Sequence, residues 1–180
     1  MARRPLRRAV MLLSAGLVFV LGVEFLQVTR TVPELAAPHE QATRVLIEKA
    51  ARQLTLERDG RVLARYSVAL GSDPVGDKAK EGDGRTPEGV YDIDFKHPRS
   101  RYHLALRISY PDRLDREDAK RAGVAPGGDI MIHGIRNGLG WLGRLHLSRD
   151  WTDGCIAVTN AEIRGIWARV AQGTRVEIRP

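Results

Sequence analysis

The stretch RVLIEKAARQLTLERDGRVLARYSVAL, residues 44–70, contains the pattern that decides the fold. Apolar and polar residues alternate on both sides of Asp59-Gly60, for example at Leu54 and Leu56. An alternation with a period of two is typical of β-strands, because successive side chains point to opposite faces. Asp-Gly between two such runs favours a tight hairpin turn. The sequence therefore predicts that the folded domain opens with antiparallel β structure.

Further short elements are predicted after this hairpin. Residues 71–89 are rich in Gly, Pro and Asp, which predicts a loop that closes with a turn at its last four residues. A short helix is predicted over residues 115–123, with Asp115 as its N-cap and Gly123 at its end. Strands are predicted at residues 90–95, 102–110, 129–134 and 175–179.

One amphipathic helix is predicted near the C-terminus. Thr159 and Glu162 have the spacing of a capping box, and the apolar residues that follow recur at helical spacing before Gly173, where we expect the helix to stop. This apolar stripe, which we expect to pack on the core, consists of Ile163, Ile166, Trp167 and Val170. The fold class predicted from these elements is mainly β (α+β), with one C-terminal packing helix. A chain of 180 residues, 43% hydrophobic and 28% charged, is long enough for one ordinary domain with appendages.

The N-terminal part of the chain predicts export. Residues 1–8 contain four arginines and no acidic residue, so they account for more than half of the net charge of +7, and nucleic-acid binding is not expected. Residues 9–28 are predominantly apolar and, as a helix of about 30 Å, match the hydrocarbon thickness of a bilayer. They are interpreted as a signal anchor, or alternatively as the apolar region of a cleaved signal peptide, with residues 1–8 cytoplasmic. Residues 29–42 are predicted to be a tether and residues 43–179 the folded, periplasmic domain.

Cys155 is the only cysteine in the chain. Exported domains usually hold cysteines as disulfide pairs, so a single one is an intermolecular bridge, a small buried hydrophobe or a reactive thiol. A reactive thiol needs a base nearby, commonly histidine. His133 ends a predicted buried strand next to Gly134, where a rigid scaffold would hold it at the rim of a sheet, although a purely structural role remains open. The other histidines lie in segments predicted to be tether, turn, strand start or loop: His39, His97, His103 and His146.

The motifs IMIHG, TDGCI and RTPEGVY, in this order in one exported domain, resemble the catalytic domain of the L,D-transpeptidases, the YkuD family. The resemblance covers roughly residues 43–179 and implies a YkuD-like β-sandwich, no cofactor, and peptidoglycan stem peptides as substrates. It also implies that Cys155 is the nucleophile, His133 the base, and the Gly134 carbonyl an orienting partner.

The sequence departs from the family pattern at several points. Asp153 stands where the family usually has a second histidine, Ala157 stands where it often has an arginine, and the interval from His133 to Cys155 is longer than in compact members. The stretch WTDGCIAVTN is more similar to a proteobacterial branch that includes murein transpeptidases and an enzyme that detaches an outer-membrane lipoprotein from the wall.

The mechanism that the resemblance implies is acyl transfer through a thioester. The thiolate would attack a tetrapeptide stem, terminal D-alanine would leave, and an amine of another stem or of a wall-anchored lipoprotein would then attack the thioester. With water as acceptor, the same site would be an L,D-carboxypeptidase or a hydrolase that releases lipoprotein. A non-catalytic wall-binding module is the alternative from another class. We expect the backbone N–H groups of Gly154 and Cys155 to stabilise the oxyanion.

Several charged residues near the cysteine are candidates for substrate binding. Asp153 could contact the acceptor amine, and Asp150 could orient His133, although hydrogen bonding within the loop is an alternative for both. The arginines between base and nucleophile could bind stem-peptide carboxylates or could be solvated: Arg136, Arg144 and Arg149. Metal binding is not expected, because the histidine and cysteine spacings match no zinc pattern.

Overall fold

A computed structural model of the protein describes residues 31–180. The predicted basic region 1–8 and the apolar segment 9–28 lie outside the described residues. Within residues 31–180, no helix has the length and apolar character needed to cross a membrane. Residues Pro33–Pro180 form one compact unit. Residues 36–42, part of the predicted tether, contact this unit through Ala36 N–H and Ala42 N–H, which donate to the carbonyls of Ala168 and Arg169.

The described chain is mainly β structure with a few helices, as the sequence predicts. Two α-helices occur in it, α1 (Arg113–Ala122) and α2 (Asn160–Arg169). A 3₁₀ turn lies at Pro38–Glu40, and two short 3₁₀ helices separated by a kink at Gly143 lie at Gly140–Ser148. The strands are β1 (Arg44–Glu48), β2 (Gln53–Arg58), β3 (Arg61–Ser67), β4 (Gly89–Ser100), β5 (His103–Ile108), β6 (Met131–His133), β7 (Ile156–Ala157) and β8 (Arg175–Arg179).

The strands form one hydrogen-bonded series in the order β3-β2-β1-β8-β4-β5-β6-β7. The predicted hairpin is confirmed: β2 and β3 pair antiparallel around Asp59-Gly60, with positive φ at both turn residues. β4 belongs to both halves of the series, since residues 89–92 pair with β8 and residues 93–100 pair with β5. The two halves also share one hydrophobic core. The predicted sandwich therefore takes the form of two half-sheets joined through one long strand.

The helix α2 packs on this core as predicted. Its stripe residues Ile163, Ile166 and Trp167 are buried, as is Val170 beyond its end. Each such side chain contributes about 1.5–3 kcal/mol of burial free energy. The predicted end at Gly173 is wrong, because Val170 is already extended. The Lys96 ammonium donates to the carbonyls of Trp167 and Val170 at 2.7 Å each, and so satisfies groups that a longer helix would have bonded internally.

The helix α1 begins earlier than predicted. Asp112, not Asp115, is its N-cap, and the two carboxylates form a reciprocal capping box in which Asp115 is the third helical residue. Gly123 ends the helix in the left-handed conformation with φ 69°, as expected of a glycine at that position.

Candidate active site

His133 ends β6 and Cys155 immediately precedes β7, a neighbouring strand that runs in the same direction. β6 and β7 pair in parallel, with Ile132 opposite Ile156 and His133 opposite Ala157. Ile132 and Ile156 are fully buried in the core. Because side chains alternate along a strand, His133 and Cys155 point to the other face. Both line one cavity of about 490 Å³.

The His133 ring is buried and held in a defined orientation. Its Nδ1 lies 2.6 Å from the Gly134 carbonyl oxygen, and only 4% of the residue is exposed. A carbonyl can only accept, so Nδ1 bears the hydrogen and Nε2 has the free lone pair. The rings of Tyr102 and Trp151 contact the imidazole at centroid distances of 4.6 and 5.8 Å. Burial lowers the pKa of His133 to about 4. The charge of His146 acts in the same direction, whereas the hydrogen bond to the Gly134 carbonyl raises the pKa. His133 is therefore a neutral base at neutral pH.

The Cys155 thiol is half-buried at the wall of the same cavity. Its Sγ donates to the Asp129 carbonyl oxygen at 3.6 Å. Burial raises the pKa of Cys155 to about 11; the backbone of Met131 lowers it, while the nearby carboxylates of Asp153 and Asp129 raise it. The resting site thus has a neutral thiol and a neutral imidazole lining the same cavity, not a thiolate and an imidazolium.

This protonation state predicts that the Cys155 thiol reacts slowly with alkylating agents at neutral pH and that its reaction rate depends strongly on pH. We expect the rate of alkylation of Cys155 by iodoacetamide to rise about tenfold per pH unit from neutral pH up to about pH 10, because only the thiolate reacts. Intact mass measured against time at each pH gives this rate. A rate that is already constant near neutral pH, or thiolate absorbance at 240 nm there, would contradict the neutral pair.

The turn that presents Cys155 is organised by Thr152. The buried Thr152 hydroxyl donates to the Cys155 carbonyl at 2.7 Å and accepts from Gly154 N–H at 3.1 Å. The Thr152 carbonyl accepts from Ser72 N–H at 2.9 Å, which ties the turn to the loop after β3. Because Gly154 N–H is already bonded to Thr152, it does not point to an oxyanion, contrary to the expectation from turn chemistry. Of the two backbone N–H groups expected to stabilise the oxyanion, only that of Cys155 remains a candidate.

Residues 42–178 match the family model of the L,D-transpeptidase catalytic domain, YkuD. The chain belongs to this family. The Escherichia coli protein YafK is 34% identical over 76 residues, which are 41% of this chain and 29% of YafK. The structure of the helical cell shape determining protein Pgp2 from Campylobacter jejuni matches with a TM-score of 0.57 and 30% identity, over 76% of this chain and 46% of Pgp2. The chain thus spans less than half of either relative.

A more distant L,D-transpeptidase, from Mycobacterium smegmatis, shares the fold. Its TM-score is 0.52 at 15% identity, over 76% of this chain and 58% of the other. The family resemblance inferred from the three sequence motifs is confirmed by the family match.

Gly154, in the family's Gly-Cys motif, occupies a position that excludes a side chain. Its φ is +123°, and an added Cβ would lie 2.5 Å from the Arg85 carbonyl oxygen and 3.1 Å from Ile130 Cδ1. Only glycine adopts this backbone conformation freely. Arg85 belongs to the Gly-rich loop 71–88, so this loop packs against the nucleophile turn.

Replacing Gly154 with alanine is expected to lower the free energy of unfolding by about 2–4 kcal/mol, through backbone strain and a backbone clash. Thermal and urea unfolding measure this loss. Gly60→Ala is the matched control: Gly60 also has positive φ, +80°, but a Cβ there meets nothing within 4 Å. Equal losses in the two variants would mean that the clash with Arg85 contributes nothing.

Gly134 is held by a residue that sequence reasoning missed. Asn160, the first residue of α2, accepts from Ile135 N–H at 2.8 Å through its Oδ1. A Cβ on Gly134 would lie 2.7 Å from that same Oδ1. Asn160 therefore fixes the turn whose carbonyl orients His133. The only sequence signal was its place inside the predicted capping box.

The two aspartates near the cysteine have different surroundings. Asp150 accepts from Leu70 N–H at 2.8 Å and pairs with Arg52 at 2.9 Å, so it holds the loop, as the structural alternative supposed. Asp153 is exposed and lines the cavity, as does a second carboxylate, Asp129, which pairs with Arg107 at 3.6 Å.

The three candidate arginines are separated. Arg136 and Arg149 are exposed and line a second cavity of about 650 Å³. Arg144 lies outside both cavities, with its side chain 70% exposed and 3.6 Å from Glu162. Arg101, which no sequence motif singled out, lines the cavity of Cys155. Across residues 31–180, no three His, Cys, Asp or Glu side chains are grouped as metal ligands.

Proposed function

We propose that this domain is a peptidoglycan L,D-transpeptidase with Cys155 as nucleophile and His133 as general base. The observation that supports it is that the thiol and a neutral, oriented imidazole line one cavity, at the end of β6 and just before β7 of a YkuD domain. A tetrapeptide stem, the substrate that the family resemblance implies, would bind in this cavity. Arg101 offers a cation to the stem's carboxylates there.

The acylation half of the reaction uses the His133 lone pair. Nε2 takes the Cys155 proton as sulfur attacks the carbonyl carbon of the third stem residue, because neither group is ionised beforehand. The carbon–sulfur bond forms, the bond to terminal D-alanine breaks, and the imidazolium returns its proton to the leaving amine. The oxyanion is stabilised by Cys155 N–H.

The deacylation half gives the product. A neutral amine of a second stem attacks the thioester and its proton passes to His133. The carbon–nitrogen bond forms, the carbon–sulfur bond breaks, and the departing sulfur takes the proton back from His133. Two carboxylates line the cavity beside the sulfur, Asp153 and Asp129, the latter also paired with Arg107 at 3.6 Å. They attract the ammonium form of the acceptor in preference to water, and this ammonium loses a proton to solvent before the neutral amine attacks. This charge is the observation that favours transfer over the hydrolytic alternative, an L,D-carboxypeptidase or lipoprotein-releasing hydrolase.

Incubation of the purified protein with disaccharide-tetrapeptides, followed by mass analysis, tests the proposal. Dimers formed with loss of D-alanine are the expected result. Loss of D-alanine alone would identify a hydrolase, and no change would identify a wall-binding module. In Asp153→Asn, we expect dimers to fall several-fold relative to hydrolysis, while Asp118→Asn, exposed on α1, keeps the wild-type ratio.

We also propose that the domain acts in the periplasm, anchored to the inner membrane by residues 9–28. The support is the arginine-rich start followed by an apolar segment. Protease treatment of spheroplasts tests this location: the domain should be degraded without lysis, and protection until lysis would contradict export. A wall-anchored lipoprotein is a further proposed acceptor, through a lysine amine, and its cross-linking to tripeptide stems is the product to detect.

A further inference from the structure

The second cavity adjoins the cavity of Cys155. The two cavities share Tyr102 and Trp151 as a common wall. The second is formed largely by residues 135–149, the segment that makes the interval between His133 and Cys155 long. Part of its remaining lining is aliphatic: Ile135, Leu139, Leu142 and Leu145. A ligand that fills the first cavity and extends past the aromatic wall therefore enters a pocket with both apolar and polar walls.

Buried polar groups in this pocket lack partners. His146 lines it with 7% exposure, and neither ring nitrogen has a hydrogen-bond partner. Trp151 Nε1, on the shared wall, is also buried without a partner. Buried polar groups are rarely left unbonded, because each costs about 1–3 kcal/mol. Buried, unbonded nitrogens of this kind are expected in a binding site whose polar ligand supplies the hydrogen-bond partners.

The two cavities differ in charge: two carboxylates and one guanidinium, that of Arg101, line the first, whereas two guanidinium groups line the second. Arg136 and Arg149 line the second cavity, and neither guanidinium has an ion-pair partner among residues 31–180. The first cavity has Asp129 and Asp153 beside the sulfur. A molecule with an amine at one end and carboxylates at the other is thus oriented with its amine toward Cys155.

We propose that the second cavity binds the acceptor: the carboxylate-bearing, aliphatic end of an amine-containing peptide, held by Arg136, Arg149 and His146 while its amine reaches the thioester. The proposal rests on the transpeptidase function above and assigns the acceptor half of that reaction to residues 135–149. The acyl donor then occupies only the first cavity, so the two substrates do not compete for one site.

Two acceptors that differ only in the charge of their carboxylates test the proposal. The acceptors are a stem tripeptide with free carboxylates and the same tripeptide with its carboxylates amidated, each supplied to enzyme already acylated by tetrapeptide. We expect wild type to transfer to the free acid at least about tenfold faster, as charge-assisted hydrogen bonds from guanidinium to carboxylate imply. In Arg136→Gln/Arg149→Gln this preference should fall to about twofold or less. Arg144→Gln, in the same segment but outside both cavities, should keep it.

The acylation step separates failure of this proposal from failure of the proposed function. Release of D-alanine in the absence of acceptor should be unchanged in the double variant. If the double variant loses acylation as well, the cavity binds the donor and the proposal is overturned; if both acceptors react equally with wild type, it is also overturned. If wild type releases no D-alanine at all, the transpeptidase function itself fails.

Direct binding gives a readout that does not depend on turnover. In Cys155→Ser, addition of the free-acid tripeptide should shift the ring nitrogen signals of His146 in NMR spectra, because the carboxylate supplies its missing partner. The amidated tripeptide should shift them at concentrations at least about tenfold higher. Ring signals of His146 that do not move with saturating free acid would overturn the assignment.

Discussion

Replacing Cys155 with serine is expected to reduce dimer formation and D-alanine release at least about 10⁴-fold, to the background of the assay. A serine hydroxyl is a much weaker nucleophile than a thiol, and a neutral His133 with a pKa of about 4 is a weak base toward it. Mass analysis of muropeptide products measures the loss. Exposure to a carbapenem, an acylating agent that the family resemblance implies, should add one acyl mass to wild type and none to the variant.

The variant should remain folded, which makes the result interpretable. The substitution removes one weak hydrogen bond, from Sγ to the Asp129 carbonyl, at a half-buried position. We expect the melting temperature to change by only a few degrees. A variant that is fully folded and still takes up the acyl group would show that another residue is the nucleophile.

Replacing His133 with glutamine is expected to slow acylation about 10²–10⁴-fold, the contribution of a positioned general base. The pH profile distinguishes this role from a structural one. Because the base must be neutral, and burial lowers the pKa of His133 to about 4, wild-type acylation should fall only as the pH drops through about 4. In the variant this acid limb should disappear, and the rate should follow thiolate formation toward the Cys155 pKa of about 11.

The control for His133 is His39→Gln. His39 is exposed in the 3₁₀ turn Pro38–Glu40, away from both cavities, and its replacement should leave the rate and the profile unchanged. A wild-type acid limb near the ordinary histidine pKa of about 6.5 would contradict the buried, neutral base.

The sequence predicted those features that depend on neighbouring residues. The alternation at Leu54 and Leu56 and the Asp59-Gly60 turn predicted the first hairpin, because strand periodicity and turn conformation are local. Thr159 predicted the start of α2 for the same reason. The N-cap of α1 was misplaced by three residues since Asp112 and Asp115 both suit an N-cap, and only the backbone shows which one precedes the helix.

The rest depended on contacts between distant parts of the chain. The parallel pairing of β1 with β8 joins the two ends of the domain, and no local pattern indicates it. The contact between the Arg85 carbonyl and Gly154 is equally non-local. Gly154 was recognised from the sequence, but the close contact that excludes a side chain there was not. Of the site, Cys155 and His133 followed from the motifs, whereas Asn160 was missed because its bond to Ile135 crosses from one element to another.

The neutral state of the thiol has a consequence for the lifetime of the molecule. Peroxides attack thiolates, and the product sulfenic acid is rescued when a second thiol condenses with it. This chain has one cysteine and so no resolving partner of its own. Burial, which holds the Cys155 pKa near 11, therefore also protects the sulfur from irreversible oxidation between turnovers. The same packing around Cys155 therefore keeps the thiolate fraction small and makes the sulfur resistant to oxidation.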